Sequence, residues 1–401
     1  MATEWPSVSL GDVINLKRGY DLAARDRESG CVPIVSSSGP TGTHSKAMVD
    51  APGVVTGRYG TIGLVHYVEE PFWPLNTTLY VQDFKGNDPR FVYYLLKTIS
   101  YRDYLDKAAV PGINRNDVHR AMVCLPPIHE QESIAETMHC LDLGIESHRA
   151  ENETIEGIAR AIFKSWFVDF DPVRAKAEGR EPEGMDAATA ALFPSTFEDS
   201  ERGPIPQGFI VSDIQSKCSI VMGQSPPGST YNERQNGLPF FQGRADFTTM
   251  FPKRRIYCSE PSRFASAGDV LLSVRAPVGD INIALDDCAI GRGVASIRHK
   301  SGSTAYSWCL LKSLKASFDS YDTEGTVFGA ISGKDLKSLK TVVPSVAIVD
   351  AFASLCDPIF SKLKLNELEA RNLTDLRDTL LPRLISGKLR VPEAEAMLEA
   401  V

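Results

Sequence analysis

A repeat with a spacing of about 218 residues constrains the fold of this chain more than any other feature. The segment LPPIHEQ, beginning at Leu125, is paralleled by VPSVAIV from Val343, and VPGINRNDV from Val110 by VFGAISGKDL from Val327. Shorter segments such as YYLLK and WCLLK repeat at a similar spacing. Since 401 residues are too many for one typical core, the repeat predicts two similar units, each with a globular and a helical part.

The helical parts are indicated by heptad rows, which are typical of coiled coils. The first row is Ile134, Leu141, His148, Ile155 and Ile162, with a companion row of Met138, Ile145, Asn152, Ala159 and Trp166; the second copy has Phe352, Ile359, Asn366, Leu373 and Leu380. We expect the two helices to pair antiparallel, with His148 close to Asn366. A buried polar pair there would fix the register of the helices; the alternative is that both side chains face solvent.

The globular parts combine short β runs between turn residues with a helix in each copy, which predicts mixed α/β domains. The expected fold class is α+β, with two similar mixed α/β domains separated by two long antiparallel coiled-coil helices in a pseudo-two-fold internal repeat. The expected boundaries are 1–128 and 205–345 for the domains, 129–170 and 346–390 for the helices, 171–204 for a connector and 391–401 for a C-terminal tail.

The net charge of −8 hides an uneven distribution of charged residues. Residues 1–129 carry no net charge and residues 205–345 carry +4, while the remainder carries −12, so both globular segments are free to approach phosphates. No apolar run is long enough for a membrane span, and no secretion signal is visible. The eight cysteines lack a C-x-x-C pair, which predicts reduced thiols and a cytoplasmic location.

Motifs for catalysis are incomplete. HEQES, from His129, has Ser133 where a zinc-protease motif needs a second histidine. SPPG, from Ser225, resembles the loop of amino-methyltransferases but lacks its aromatic residue. No Cys/His cluster has metal-ligand spacing, and no nucleophile elbow is present. The sequence therefore predicts no catalytic site, no metal and no cofactor in this chain.

Polar loops with basic, amide and aromatic residues are the remaining candidates for function. Arg and Lys suit phosphates or a guanine edge, and Gln suits adenine, although any one such loop is more often ordinary surface. The candidate DNA contacts are Lys17, Arg18, Tyr20, Ser37, His44, Lys46, Arg58, Tyr59, Thr61 and Arg115 in the first segment, and Gln224, Ser225, Tyr231, Gln242, Arg244, Lys253, Arg254, Arg255, Arg275 and Arg292 in the second.

These features together resemble the specificity (S) subunit of type I restriction–modification systems, and the resemblance covers nearly the whole chain. LPPIHEQESIAETM resembles the helix opener of that family, FVDFDPV the end of its first spacer, and LLPRLISGKLRV the end of its second. PFWPLNTTLYVQDFKGNDPRFVYYLLK and GQSPPGSTYNERQNGLPFFQGRADF resemble two types of target recognition domain. The second opener departs from the pattern, since Ile348 and Val349 replace Glu130 and Gln131.

The resemblance implies a non-catalytic subunit that binds double-stranded DNA. Each domain would read one half of a bipartite target, and the helices would set the gap between the halves. Two modification subunits would supply adenine methylation from S-adenosylmethionine, and two restriction subunits would add ATP- and Mg-dependent cleavage. The aromatic residues Phe163, Trp166, Phe167 and Phe170 would either pack under their own domain or contact a partner.

Two other classes of protein remain as alternatives. A single-chain DNA methyltransferase or nuclease would need the complete methyltransferase loop or an acidic metal cluster. A scaffold that joins two proteins would have no use for two sets of basic polar loops, and it would show no dependence on DNA sequence.

Overall fold

The computed structural model describes residues 5–105, 111–323 and 329–398. The chain forms two compact units, one of residues 1–147 with 370–401 and the other of residues 148–369. In the described residues the helices are α1 (Leu10–Val13), α2 (Pro89–Lys97), α3 (Arg115–Val118), α4 (Ile128–Phe167), α5 (Asp171–Ala177), α6 (Ala187–Leu192), α7 (Thr304–Ser313), α8 (Lys315–Thr323), α9 (Gly333–Ser338), α10 (Val346–Ile385) and α11 (Val391–Leu398).

The strands of the first unit are β1 (Ser7–Ser9), β2 (Asn15–Arg18), β3 (Val32–Ser36), β4 (Gly39–His44), β5 (Gly53–Gly57), β6 (Val65–Val68), β7 (Trp73–Pro74), β8 (Thr78–Asp83) and β9 (Met122–Cys124). Those of the second are β10 (Phe197–Ser200), β11 (Gly203–Pro206), β12 (Ile210–Asp213), β13 (Cys218–Met222), β14 (Tyr231–Asn232), β15 (Leu238–Phe241), β16 (Tyr257–Cys258), β17 (Phe264–Ala265), β18 (Val270–Ser273), β19 (Ile281–Ile283), β20 (Cys288–Ile290), β21 (Val294–His299) and β22 (Lys340–Val343).

The first unit is built around an antiparallel sheet with the strand order β2-β8-β5-β6. A second sheet, β4-β3-β7, contains one parallel pair, and β1 pairs with β9. Helix α2 begins at a proline after Asp88, whose carboxylate accepts the Phe91 N–H at 2.6 Å, a favourable helix start. Phe91 and Leu95 of this helix lie in the core beside Leu79 and Val81 of β8.

The second unit repeats this topology with other residues. Its antiparallel sheet has the order β13-β21-β18-β19, strand β15 pairs parallel with β20, and β12 pairs with β22. Helix α7 is capped by Ser303, whose Oγ accepts the Tyr306 N–H at 3.0 Å. The two long helices α4 and α10 each have 40 residues, and their bounds differ by the predicted 218 positions. The internal repeat predicted from the sequence is therefore present in the fold.

Segments of the long helices run antiparallel within each unit. In the first unit, Asp142 of α4 lies 2.7 Å from Arg377 of α10, and Glu130 near the start of α4 lies 3.5 Å from Arg390, which follows the end of α10. The partner number falls as the α4 number rises, as antiparallel pairing requires. In the second unit, the same order relates Glu151 to Lys362, 3.7 Å apart, and Phe163 to Phe352, with ring centroids 5.7 Å apart.

The predicted rows of core residues are buried to different degrees. Among them, Ile134, Leu141, Phe352 and Leu380 are buried, while Ile155, Ile162, Ile359 and Leu373 are half-buried and pack against the same cores. Each helix segment therefore shares a core with the globular part of its own unit, so the rows do not form an isolated coiled-coil seam.

The polar contacts between the two long helices differ from the predicted pair of His148 and Asn366. The His148 ring lies 3.3 Å from Glu369, whereas the Asn366 amide nitrogen donates to Glu151 at 2.8 Å and to Asn152 at 3.0 Å. Asn366 is fully buried and His148 is half-buried. The antiparallel register moves the facing residue by one turn, so the buried polar partner of Asn366 is Asn152 of the companion row.

The segments predicted to be a connector and a C-terminal tail contribute residues to the cores. The connector, 171–204, forms α5, α6 and the β10–β11 hairpin, and Val173 and Phe193 are buried in the core of the second unit. The C-terminal tail forms α11, with Val391 and Ala394 in the core of the first unit; residues 399–401 lie outside the described residues. Apolar residues widely spaced among polar ones form these buried contacts, which periodicity alone does not detect.

The aromatic residues at the end of α4 pack inside the second unit. Phe163, Trp166, Phe167 and Phe170 are all buried. They contact Phe352, Tyr306, Phe193 and Phe209 with ring centroids 5.3–6.1 Å apart. Of the two roles left open by the sequence, packing under their own domain is the one observed.

Candidate nucleic-acid interface

In the first unit, the ends of four strands meet at one edge of the antiparallel sheet. Strands β2 and β5 end there and β8 and β6 begin there, because neighbouring strands run in opposite directions. We call the loops at this edge, residues 18–21, 57–63, 75–78 and 112–115, the first loop edge. Backbone hydrogen bonds rather than a continuous sheet hold them together.

The Arg58–Tyr59 segment is central to the first loop edge. The N–H groups of both residues donate to the Thr77 carbonyl, at 2.8 and 3.1 Å, and the Arg58 carbonyl accepts the Ile113 N–H at 3.1 Å. The Arg58 guanidinium lies 4.5 Å from the centroid of the Tyr59 ring. Gly57 allows this turn, since a Cβ there would overlap the carbonyl oxygen of Thr61. The fixed backbone therefore presents one cation and one aromatic ring side by side.

A second group at the first loop edge surrounds Tyr20. The Tyr20 hydroxyl lies 3.1 Å from that of Tyr80, and Lys17 lies 5.7 Å from the Tyr20 ring centroid. Arg18 pairs with Asp21 at 3.2 Å, and Asp21 also accepts a hydrogen bond from Asn76. Asn76 was not predicted as a site residue, although it stands between the strand ends in the sequence.

The other predicted residues of the first unit divide into two groups. Ser37 lies in the turn between β3 and β4 against Gly60, and Thr61 and Arg115 are exposed at the first loop edge. His44 is buried against Trp73, and its Nδ1 accepts the Glu28 N–H at 3.0 Å. His44 as a DNA contact stays a prediction, and in this structure its ring is enclosed by its own unit. Lys46 is exposed but follows β4 at the end opposite to Ser37.

In the second unit, the equivalent edge carries the loop Gly291–Gly293. The Arg292 N–H donates to Ser225 Oγ at 3.3 Å, and the Gln224 N–H donates to the Ile290 carbonyl at 3.1 Å. Gly293 lies so close to Gln242 that a Cβ would overlap the Gln242 carbonyl oxygen. Gln224, Gln242 and Arg292 are exposed. This second loop edge, residues 223–225, 242–244, 274–280 and 291–293, therefore brings together loops that are distant in the sequence.

Arg275 occupies the position equivalent to Tyr59. The Val274 carbonyl accepts the Ile331 N–H at 3.0 Å, as the Arg58 carbonyl accepts that of Ile113, and the Val274 N–H donates to Gly293 at 3.0 Å. Arg275 itself forms a β-bridge with Ala330, as Tyr59 does with Gly112. Its side chain is exposed, and none of the carboxylates that the structure describes pairs with it. Its guanidinium is therefore available to a ligand.

The remaining predicted cations of the second unit are mostly engaged with carboxylates. Arg244 lies 3.0 Å from Asp280, Arg255 lies 2.9 Å from Asp246, and Arg254 pairs with Asp286 beyond the far end of β19. Lys253 is exposed. The Tyr231 hydroxyl donates to the Pro226 carbonyl at 2.8 Å, and its ring packs 4.8 Å from that of Phe240. Tyr231 therefore supports the loop that carries Gln224.

The buried thiols and the arrangement of possible metal ligands in the described residues bear on nucleophile and metal chemistry. Burial raises the pKa of the thiols of Cys218, Cys288 and Cys356 to about 12, so these thiols are neutral. No group of three or more His, Cys, Asp or Glu side chains within the described ranges is placed to hold a metal ion. Nor is any described helix long and apolar enough to cross a membrane.

The fold and its loops define a duplicated α+β protein with two equivalent polar loop edges. A family model described as "Type I restriction modification DNA specificity domain" matches residues 2–157. The chain is 30% identical over 314 residues to a putative type I restriction enzyme MjaX specificity subunit of Methanocaldococcus jannaschii, covering 76% of this chain and 69% of that relative. The chain therefore belongs to the family of type I restriction enzyme specificity subunits.

Two further comparisons agree with this assignment. The type I restriction enzyme HindI specificity subunit of Haemophilus influenzae is 24% identical over 355 residues, which cover 75% of this chain and 77% of that relative. The crystal structure of a type I restriction–modification system S subunit from M. genitalium superposes with a TM-score of 0.61 at 16% identity, covering 96% of this chain and 97% of that one. At that identity, the similarity concerns the fold.

Proposed function

We propose that this chain gives a type I restriction–modification complex its DNA specificity, with each loop edge reading one half of a bipartite target. The observation that carries the proposal is the equivalence of Arg58–Tyr59 and Val274–Arg275, whose carbonyls accept the N–H groups of Ile113 and Ile331. A duplicated reading edge suits a target that has two separate halves. On this proposal, α4 and α10 set the gap between the halves.

The side chains at the second loop edge match the chemistry of base edges. Arg275 and Arg292 can each donate two hydrogen bonds to guanine, and Gln224 and Gln242 can pair with adenine. All four side chains are exposed, and the backbone hydrogen bonds of their loops fix the positions from which they extend. Arg244 and Arg255 are already paired with Asp280 and Asp246, and we propose phosphates rather than base edges as their targets, because arginine is a common donor to phosphate oxygens. The first loop edge would use Arg58, Tyr59 and Arg115 in the same way.

The chemistry itself would belong to partner subunits. We propose that two modification subunits bind this chain and methylate adenine with S-adenosylmethionine, and that two restriction subunits add ATP- and Mg-dependent cleavage. Exposed apolar side chains on the long helices, Leu143 and Ile158 on α4 and Leu355 and Leu365 on α10, are each about half exposed and suit contact with helices of a partner.

Mapping of methylated adenines in a host that carries this chain with its modification subunit tests the proposal. The expected result is methylation at a motif of two short specific parts separated by a gap of fixed length. A short continuous palindrome, or no methylation with an active partner, would contradict the proposal. A scaffold protein would leave the methylated motif unchanged when this chain is replaced by a relative with different loops.

A further inference from the structure

A cavity of about 220 Å³ opens beside the turn between β18 and β19 in the second unit. Gly279 and Asp280 of this turn contribute to its wall, and the Ser273 N–H at the end of β18 donates to the Asp280 carbonyl at 2.8 Å. The cavity therefore lies at the same end of the sheet as Arg275. It shares Arg244, Gly279 and Asp280 with the second loop edge but does not include the residues proposed to read bases.

Basic side chains dominate the charge of the cavity wall. Arg244, Lys312 and Lys315 line it together with one carboxylate, that of Asp280. Asp280 pairs with Arg244 at 3.0 Å, and Lys315 pairs with Asp319 outside the cavity lining. None of the carboxylates in the described ranges forms an ion pair with Lys312. The cavity therefore has a surplus of positive charge that is centred on Lys312.

The Lys312 side chain is held in a fixed position and is partly shielded from solvent. Its ammonium lies 4.7 Å from the centroid of the Trp308 ring, and Trp308 Nε1 donates to Glu156 at 3.0 Å, which fixes the ring. Burial lowers the pKa of Lys312, an effect that the nearby charges of Glu156 and Asp280 only partly oppose. A half-desolvated ammonium without an ion-pair partner is stabilised when an anion enters the cavity.

The equivalent lysine of the first unit has a similar arrangement. Lys97 is the last residue of α2, and Lys312 likewise lies near the end of α7. The Lys97 ammonium lies 4.8 Å from the centroid of the ring of Tyr93, four residues earlier. Trp308 likewise precedes Lys312 by four residues. Both repeats therefore place a lysine on an aromatic ring near the end of the equivalent helix, although the cavity described above belongs to the second unit.

We propose that this cavity binds a phosphate group of the DNA backbone through Lys312 and Lys315, with Arg244 at its rim. The inference rests on the proposed function, and it adds an anchor that positions the duplex without reading its sequence. Phosphate contacts of this kind fix the orientation of a protein on DNA while base contacts specify the sequence. A small phosphate-bearing molecule would present the same chemistry, and the experiment separates the two sources.

The test measures how the affinity of the full chain with its modification subunits for a duplex carrying the mapped motif depends on salt concentration. Each phosphate contact contributes a slope of about 0.9 in log affinity against log salt. Since both lysines are proposed to bind the same phosphate, Lys312→Gln with Lys315→Gln should reduce the slope by about 0.9, so that raising salt from about 50 to 200 mM weakens binding roughly three- to fourfold less than in the wild type. The preference for the motif over a scrambled duplex should not change.

Lys300→Gln is the matched control, because Lys300 lies in the same unit beyond the opposite end of β21 and donates to the Ser216 carbonyl. It should leave the slope unchanged. An unchanged slope in the double variant, or an equal reduction in the control, would overturn the inference. Thermal unfolding midpoints equal to the wild type establish that the variants are folded.

Two further outcomes separate this inference from the proposed function. If the wild type does not distinguish the motif from a scrambled duplex, the proposed function fails. If it does and the double variant keeps the wild-type slope, only the phosphate anchor fails. Calorimetric titration with inorganic phosphate completes the design, because phosphate binding that the double variant loses, with no change in the DNA slope, would assign the cavity to a small phosphate compound and overturn the DNA anchor.

Discussion

Asn366 of α10 donates a hydrogen bond from its amide nitrogen to Oδ1 of Asn152 on α4, 3.0 Å away. Asn366 is fully buried, and its own Oδ1 has no hydrogen-bond partner in the described part of the chain. The Asn152 amide nitrogen donates in turn to the Leu363 carbonyl at 3.1 Å. A buried amide pair of this kind favours one register of two helices at a cost in stability.

Replacement of both amides, Asn152→Leu with Asn366→Leu, should therefore stabilise the protein. We expect the free energy of unfolding to rise by about 1–3 kcal/mol, because apolar contacts replace a buried polar pair with an unsatisfied oxygen. Denaturant unfolding measures this change. Asn366→Leu alone is the control and should gain less, since it removes a partner of Asn152. A double variant less stable than the wild type would show that the pair is a net stabiliser.

The contact between Asp142 and Arg377 predicts a destabilising substitution in the first unit. Asp142 accepts from the Arg377 guanidinium and from the Tyr94 hydroxyl, both at 2.7 Å, and the two charged side chains are less than one-fifth exposed. Asp142→Ala should lower the free energy of unfolding by about 2–3 kcal/mol, since it leaves the Tyr94 hydroxyl without this acceptor and the partly buried Arg377 with only the more exposed Asp378.

Asp378→Ala is the matched control for Asp142→Ala, because Asp378 pairs with the same arginine but its side chain is 60% exposed. Its effect on the free energy of unfolding should stay within about 0.5 kcal/mol. Equal losses for the two variants would mean that burial does not distinguish the two ion pairs.

His299 predicts a dependence of stability on pH. Burial, assisted by the charges of Lys217 and Lys300, lowers the pKa of His299 from 6.5 to about 4. Between these values the unfolded chain binds a proton that the folded chain does not, so the contribution of His299 to stability falls as pH drops from 6.5 towards 4. His299→Gln should flatten this part of the stability profile, measured by denaturant unfolding at each pH. An unchanged profile would assign the acid sensitivity to other groups.

Substitution of Gly293 should cause a loss of function confined to one half of the target. A Cβ at this position would overlap the carbonyl oxygen of Gln242, so Gly293→Ala should displace the loop that carries Arg292. The dependence of methylation on the sequence of one half-site should weaken at least tenfold, whereas its dependence on the other half-site should remain. Gly228→Ala is the control, because its Cβ would meet no atom within 4 Å. Equal effects of the two variants would contradict the close approach.

The sequence predicts the duplication and the long helices well, because heptad spacing and a 218-residue repeat are both visible in residue order. It predicts the position of loops such as Arg58–Tyr59 and Gly291–Gly293, since glycine and basic residues mark strand ends. It does not distinguish the buried His44 from the exposed Arg275, because burial depends on contacts with residues far along the chain. For the same reason it misses Lys312, which becomes notable only beside Trp308 and the cavity.

The central claim is that the two loop edges read different halves of one DNA target. Mapping of methylated motifs for Arg58→Ala and Arg275→Ala, measured in parallel with the same modification subunit, tests it most directly. Each substitution keeps the backbone hydrogen bonds of its loop, so the loops should stay in place. The account predicts that each variant relaxes the sequence requirement in one half only, and in opposite halves. Relaxation of the same half by both variants, or a uniform loss of methylation without any change of motif, would contradict it.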